Sequence, residues 1–170
     1  MNWTELLKSE IEAAFRATEG LVALVDKDKL NWKPATGSNW MTTGQLLKHL
    51  ETSCGAMCKG FVTGDWGMPA DASPDEMLPP ADKLPTTSSL AETKKALAAD
   101  KKLALGTIVE AGEKALASKQ VAAPWDPTMK PLGQQMLECA KHLAAHKSQL
   151  FYYLKLQGKP VNTMTLWGMG

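Results

Sequence analysis

The sequence predicts an all-α protein, a four-helix bundle of the up-down-down-up kind with a long crossover between helices two and three. Three observations favour this fold. Apolar residues recur at helical spacing in four long segments. No segment shows a convincing strand-like alternation. The connection 63–88 is long enough to run the length of a helix, so that helices two and three can be parallel.

The first two helices each begin at a capping box, in which two side chains and two backbone N–H groups bond reciprocally. Asn2 and Glu5 form this pair ahead of helix one, which is predicted over residues 3–25. Thr42 and Gln45 form it ahead of helix two. We expect helix two to be continuous, because its apolar stripe runs through Leu46, Leu50, Ser53, Met57 and Phe61.

Helices three and four also have clear limits in the sequence. Ser89 and Glu92 mark the start of helix three. Helix four begins near Pro131, which suits a first-turn position, and ends before Gly158 and Pro160, a typical stop signal. Its predicted core face is Leu132, Met136, Cys139, Leu143, Leu150 and Leu154.

Length and charge bound the class of protein. The chain has 170 residues, so we expect a single domain over 1–170 with one core. Its 19 basic and 18 acidic residues give a net charge of +1 and are dispersed, which disfavours nucleic acid or an anionic membrane as partner. We see no secretory signal and no membrane-spanning run. The three cysteines indicate no disulfide framework, so the expected location is a reducing cytoplasm.

The three histidines of the chain indicate a metal site. His142 and His146 lie four residues apart in helix four and project in the same direction, which lets two imidazoles hold one ion. His49 falls at the edge of the apolar stripe of helix two. Three imidazoles with open coordination positions are typical of a catalytic or substrate-binding metal. The alternative is that His142 and His146 are partly exposed residues on a polar flank and that His49 is an ordinary histidine at the boundary of the core.

Two segments resemble the DinB/YfiT-like superfamily of metal-dependent proteins. They are LNWKPATGSNWMTTGQLLKHL at 30–50 and HLAAHKSQLFYYLKLQGKPV at 142–161. The family places one ligand histidine near the start of helix two, after a turn of the Trp-x-Pro kind, and an H-x-x-x-H pair in the last helix. These positions match His49, His142 and His146. The resemblance covers nearly the whole chain in its helix order.

The resemblance implies the same four-helix bundle, with the three histidines as ligands of a divalent transition metal. Nickel, zinc and iron all suit three imidazoles. Characterised relatives are S-transferases and an isomerase that use mycothiol, bacillithiol or related thiols, and other relatives are stress- or damage-induced proteins without an assigned reaction. We therefore expect a metal-dependent enzyme that conjugates a low-molecular-weight thiol to a small-molecule electrophile.

Two other classes of function stay open. One is a non-catalytic metal- or small-molecule-binding stress-response protein. The other is a dimerisation module that kept its histidines, and the apolar tail NTMTLWGMG would supply a homodimer contact. An enzyme needs an open pocket beside the metal, and the 63–88 connection would form one wall of that pocket. A pure scaffold, in contrast, has no reason to cluster its histidines.

Other side chains near the histidines have two interpretations each. Glu138 would orient an imidazole or face solvent, and solvent is favoured. Cys139 would be a thiolate ligand or core, and core is favoured. Cys54 and Cys58 would form a redox pair or simply pack. Tyr153 would donate to a substrate or lie in the core with its hydroxyl at the rim. The tryptophans expected in loops would cap bundle ends or wall a pocket: Trp32, Trp40, Trp66, Trp125 and Trp167.

Overall fold

A computed structural model describes residues 2–67 and 79–169. Within them the chain is mostly helical, as predicted. The α-helices are α1 (Trp3–Ala23), α2 (Thr43–Leu50), α3 (Gly55–Thr63), α4 (Leu90–Ser118), α5 (Leu132–Leu156) and α6 (Thr163–Leu166). Two short 3₁₀ turns lie at Lys27–Lys29 and Ala81–Lys83, and two strands, β1 (Gln120–Ala123) and β2 (Asp126–Pro131), complete the described elements.

The two strands correct the all-α prediction. β1 and β2 pair antiparallel, with Gln120 opposite Pro131 and Ala123 opposite Asp126, and the ladder is irregular between Val121 and Ala123. The strands are too short, and β2 too rich in proline, for the alternation that identifies a strand in sequence. The hairpin fills the connection between α4 and α5.

The predicted helix starts are confirmed at three of the four caps. Asn2 and Thr42 each complete a capping box with both hydrogen bonds present. Ser89 accepts the N–H of Glu92 at the start of α4. Pro131 lies at the N-cap of α5 rather than in its first turn. At the other end of α5, Gly158 has a φ of +79°, a left-handed conformation that glycine adopts without strain and that ends the helix.

The prediction of a continuous helix two is wrong. α2 ends at Leu50, a turn occupies residues 51–54, and α3 starts at Gly55. The backbone of Cys54 leaves the helical region, with φ −131° and ψ −63°. The apolar stripe survives the break, because Leu50, Ser53 and Phe61 are all buried. Periodicity alone therefore could not reveal it.

Contacts at the helix ends define the direction of the middle helices. Lys48 on α2 pairs with Glu92 at the start of α4, at 3.2 Å. Lys119, just beyond α4, donates to the carbonyl of Val62 near the end of α3, also at 3.2 Å. The α2–α3 pair therefore runs in the same direction as α4.

The outer helices are related in the same way. The indole of Trp3 at the start of α1 lies over Gly133 at the start of α5, and Lys159 beyond α5 pairs with Asp26 beyond α1, at 2.7 Å. α1 and α5 are thus parallel. Glu113 near the end of α4 accepts the N–H of Trp3 at 3.0 Å, so α1 and α4 are antiparallel.

Buried apolar side chains from α1 to α5 form one hydrophobic cluster. The predicted core face of α5 is confirmed in full. In α1, Leu7 is fully buried and the neighbouring Leu6 is half-buried. None of the helices in the described ranges is both long and apolar enough to cross a membrane.

The predicted crossover 63–88 lies partly outside the described residues, which exclude 68–78. Its last part packs on the start of α2. The Gln45 amide donates to the carbonyls of Ala81 and Leu84, at 2.8 and 2.9 Å, and Thr87 N–H donates to the carbonyl of Gly44 at 3.1 Å. This segment therefore lies one helical turn from His49.

Candidate metal centre

Two helices bring the three histidines together. His49 lies in the last turn of α2, and His142 and His146 lie on consecutive turns of α5. The Nε2 atom of His142 is 3.3 Å from that of His49 and 3.1 Å from that of His146. One ring nitrogen of each residue lies within 4.8 Å of the others, and no second such group of three is present in residues 2–67 and 79–169. The predicted meeting of the histidines is observed.

The ring of His142 is oriented by the backbone at the α2–α3 break. Its Nδ1 atom lies 3.0 Å from the carbonyl oxygen of Ser53. Because a carbonyl oxygen only accepts, Nδ1 must carry the hydrogen and donate it. The neutral ring then has its lone pair on Nε2, the atom that faces the other histidines.

The ring of His146 is oriented by a chain of three side-chain and backbone groups. Tyr153 donates its hydroxyl hydrogen to the carbonyl of Met41 at 2.9 Å. The tyrosine oxygen therefore accepts from the amide NH₂ of Gln149, at 3.2 Å. This turns the Gln149 carbonyl oxygen toward Nδ1 of His146, at 3.1 Å. Nδ1 must donate, so His146 also has its lone pair on Nε2.

The donor set fits a divalent transition ion. Two Nε2 lone pairs 3.1 Å apart repel each other unless a cation lies between them. Metal–nitrogen bonds of about 2.0–2.1 Å in tetrahedral geometry hold two ligand nitrogens roughly 3.3 Å apart, which matches the observed spacings of 3.1 and 3.3 Å. His142, His146 and His49 would hold such an ion through nitrogen alone.

The environment keeps His49 and His146 neutral. Desolvation by burial, and after it the charges of His146 and His142, lowers the pKa of His49 from 6.5 to about 4. Burial also lowers the pKa of His146, against the opposing effect of its hydrogen bond to Gln149. Neutral imidazole is the form that binds a metal, so these side chains are in the binding form at neutral pH.

Two neighbouring side chains have the structural role that the sequence favoured. Glu138 pairs with Lys141 at 3.0 Å on the surface and does not bond a histidine. Cys139 is fully buried and donates to the Gln135 carbonyl at 3.3 Å. Neither side chain joins the histidine group.

Tyr153 differs in part from its prediction. It lies in the core, as expected, with 1% of its surface exposed. Its hydroxyl is not a free group at the rim, because it is used by Met41 and Gln149. Trp32 and Trp40 stand edge-on to its ring, with centroids 5.4 and 6.1 Å away. These two loop tryptophans therefore pack behind the residue that orients His146.

Cys54 and Cys58 are fully buried, free thiols. The hydrogen bond to Cys58 is the main cause that raises the pKa of Cys54, and burial is the second cause. The hydrogen bond to Cys139 is the main cause that raises the pKa of Cys58. A raised pKa suppresses the reactive thiolate, so packing rather than redox chemistry explains this pair.

Sequence reasoning missed the groups that orient the imidazoles, Ser53 and Gln149. Gln149 lies three residues after His146, a spacing at which helical side chains meet, and this signal was available in the sequence. No sequence signal pointed to the Ser53 carbonyl, because its direction depends on the break in the helix.

Fold and site together define a class: mostly helical proteins with three convergent imidazoles between two helices. The profile of the DinB superfamily matches residues 10–150, a range that contains all three histidines. The chain belongs to this superfamily.

Two solved structures share the fold. A DinB-like protein from Bacillus subtilis is 18% identical, with a TM-score of 0.64 over 92% of this chain and 94% of that chain. A protein assigned to the DinB family from Exiguobacterium sibiricum is 20% identical, with a TM-score of 0.67 over 97% of this chain and 98% of that chain. At these identities the likeness establishes the fold alone. No curated protein matches the sequence.

Proposed function

We propose that this protein is a metal-dependent enzyme that transfers a small thiol to an electrophile, with His49, His142 and His146 as the metal ligands. The observation that carries the proposal is the convergence of Nε2 atoms at 3.1 and 3.3 Å, with the hydrogens of two rings held on the opposite nitrogens. A divalent nickel, zinc or iron ion bound there would act as a Lewis acid that lowers the pKa of a thiol.

The chain's own residues support an external thiol as the nucleophile. All three cysteines are fully buried, and the Tyr153 hydroxyl is already used twice. The role of the histidines is then to bind and orient, because the Nδ1 hydrogens of His142 and His146 stay with Ser53 and Gln149. The resemblance to the DinB/YfiT-like superfamily, whose characterised members use small thiols, supports bacillithiol, mycothiol or a related thiol as co-substrate.

The metal part of the proposal is tested by elemental analysis of protein purified without a histidine tag. We expect about one transition-metal ion per chain, and none in a His49→Ala, His142→Ala, His146→Ala triple variant. Glu138→Gln is the matched control, since Glu138 is on α5 beside the site but pairs outward with Lys141. A triple variant that holds metal as well as the parent would contradict the three-histidine site.

The chemical part is tested with bacillithiol, mycothiol, glutathione and cysteine against simple electrophiles. Metal-loaded and chelator-stripped protein are compared for each thiol. We expect metal-dependent turnover with at least one thiol. If none gives turnover above the uncatalysed rate and none binds, the transferase assignment fails.

A non-catalytic binding protein is the second candidate. It is favoured by two surface clefts, because neither is lined by the histidines. One cleft of about 690 Å³ lies between α1 and α4 and is lined by residues such as Lys8, Lys101 and Leu105. Another, of about 400 Å³, lies beside the hairpin and Trp66. Neither cleft contains a histidine. Stoichiometric metal with no turnover in the thiol screen would select this candidate.

We further propose that α1, the α2–α3 pair, α4 and α5 form a single-domain, up-down-down-up four-helix bundle. The parallel pairs α1 with α5 and α3 with α4 support this topology. Its test is distance measurement between spin labels. Labels at the exposed positions Lys59 and Lys114 near the ends of α3 and α4 are expected to be closer than labels at Lys59 and Lys94.

We also propose a homodimer in the cytoplasm. Large apolar side chains are exposed near the chain's end, including Tyr152 and Leu156, which are 62% and 65% exposed on one side of α5. Sedimentation of Leu156→Lys is the test, and Leu103→Lys on α4 is its control. The Leu156 variant alone should become monomeric, and an unchanged mass would reject this interface.

A further inference from the structure

We propose that Asp100 is a positioning residue for the histidine site, although it stands on α4 and makes no hydrogen bond to a histidine. It holds open the break between α2 and α3, and the break presents the Ser53 carbonyl to His142. The inference takes the metal site from the proposed function, but its geometry is independent of any metal.

The Asp100 carboxylate takes the place of three backbone carbonyls that would accept hydrogen bonds in a continuous helix. Its Oδ2 atom accepts the N–H groups of Cys54 and Gly55, at 3.2 and 2.8 Å, and its Oδ1 atom accepts that of Ala56, at 2.9 Å. In a continuous helix these N–H groups would donate to the carbonyls four residues earlier. Asp100 is 5% exposed, so its carboxylate forms hydrogen bonds with these three donors rather than with water.

The break makes the Ser53 carbonyl available to His142. Regular helical hydrogen bonding starts again one residue after Ser53, where the carbonyl of Cys54 accepts the N–H of Cys58 at 2.9 Å. In an unbroken helix the Ser53 carbonyl would point along the helix axis to the N–H of Met57. In this structure it bonds Nδ1 of His142 at 3.0 Å, and so it fixes the hydrogen of that ring.

Gly55 permits the arrangement sterically. A Cβ atom built at Gly55 would overlap the backbone carbonyl oxygen of Asp100 and lie 2.7 Å from its Oδ1 atom. α3 therefore starts directly against the backbone of α4. The glycine at this position lets the break pack directly against α4, and the carboxylate opposite it accepts the N–H groups that the break leaves free.

The first experiment is nitrogen-15 NMR of the metal-free protein at pH 8. We expect His142 to be protonated on Nδ1 in the wild type, and the amides of Cys54, Gly55 and Ala56 to be protected from hydrogen exchange. Asp100→Asn retains one acceptor oxygen and turns an NH₂ group toward the donors, so we expect His142 to show a mixture of tautomers.

The second experiment measures Zn²⁺ affinity by competition with a chromophoric chelator. Loss of a group that orients a ligand typically weakens metal binding about 10- to 100-fold, and we expect roughly tenfold for Asp100→Asn. Glu113→Gln is the matched control. Glu113 is also on α4 and also caps a helix, through the N–H groups of Trp3 and Thr4 at 3.0 and 2.9 Å, but it is unconnected to the break.

The outcomes separate this inference from the proposed function. If a folded Asp100→Asn protein keeps the wild-type tautomer and affinity, the inference is overturned while the metal site stands. If the wild type binds no Zn²⁺ but Asp100→Asn still changes the tautomer, the metal function fails and the positioning role stands. Should Asp100→Asn not fold, the wild-type spectrum decides, since an Nε2-protonated His142 or unprotected amides at 54–56 overturn the proposal.

Discussion

The three imidazoles are not held in the same way. The Nδ1 atom of His142 donates to the Ser53 carbonyl, and the Nδ1 atom of His146 donates to the Gln149 side chain. Within the described part of the chain, His49 has no such bond at Nδ1, and its Nε2 atom lies 3.3 Å from that of His142. The orientation of the His49 ring therefore depends on the position of α2. Burial is the main cause that lowers its pKa, so its protonation is sensitive to the exposure of the site.

Metal-free protein should lose stability as the pH falls from about 6.5 to about 4. The pKa of His49 is 6.5 in its ordinary state and about 4 in the fold. In this window the unfolded chain binds the proton and the folded one does not, so acid favours unfolding. We expect His49→Gln to show a shallower loss in urea denaturation between pH 7 and 4.5. Parallel curves for the two proteins would contradict the lowered pKa.

The tyrosine that orients Gln149 should matter for metal binding without contacting the metal. Tyr153→Phe removes the hydroxyl that keeps the Gln149 carbonyl oxygen toward His146. We expect metal affinity to fall about tenfold, and stability to fall by about 1 kcal/mol from the lost hydrogen bonds. Tyr152→Phe is the control, because Tyr152 is 62% exposed. Equal Zn²⁺ affinity in both variants would exclude this role.

At the scale of the elements, local features could be predicted from the sequence and tertiary ones could not. The capping boxes at Asn2 and Thr42 need only residues three apart, and the pairing of His142 with His146 needs only one helical turn. The break between α2 and α3 depends on Asp100, 46 residues from Cys54 along the chain. A contact at that separation leaves no periodic signal.

The close approach of α3 to α4 should make Gly55 intolerant of a side chain. Gly55→Ala places a methyl group on the Asp100 backbone, and such overpacking costs about 1–3 kcal/mol. Gly106→Ala on α4 meets nothing within 4 Å and should stabilise by about 0.5–1 kcal/mol, since alanine favours the helix. Urea midpoints should therefore move in opposite directions. A shift of the same sign in both variants would contradict the packing described.

At the scale of the whole molecule, the site joins parts of the chain that are distant in sequence. His49 and His142 are 93 residues apart. The α2–α3 segment and α5 meet at the histidines and at Ser53, and Tyr153 of α5 also bonds the carbonyl of Met41, two residues before α2. An ion held by both helices would bind the folded chain and not the unfolded one, so its binding free energy would add to the stability of the fold.

Metal should therefore raise the melting temperature of the protein. At a free Zn²⁺ concentration about 100 times the dissociation constant, binding adds about 2.7 kcal/mol. For a chain of 170 residues this corresponds to a rise of roughly 5–10 °C, at about 2–4 °C per kcal/mol. The rise should vanish in the triple histidine variant and persist in Glu138→Gln. It should also shrink as the pH falls, because protons compete for the same nitrogens. A rise of equal size in the triple variant would place the bound ion elsewhere on the surface.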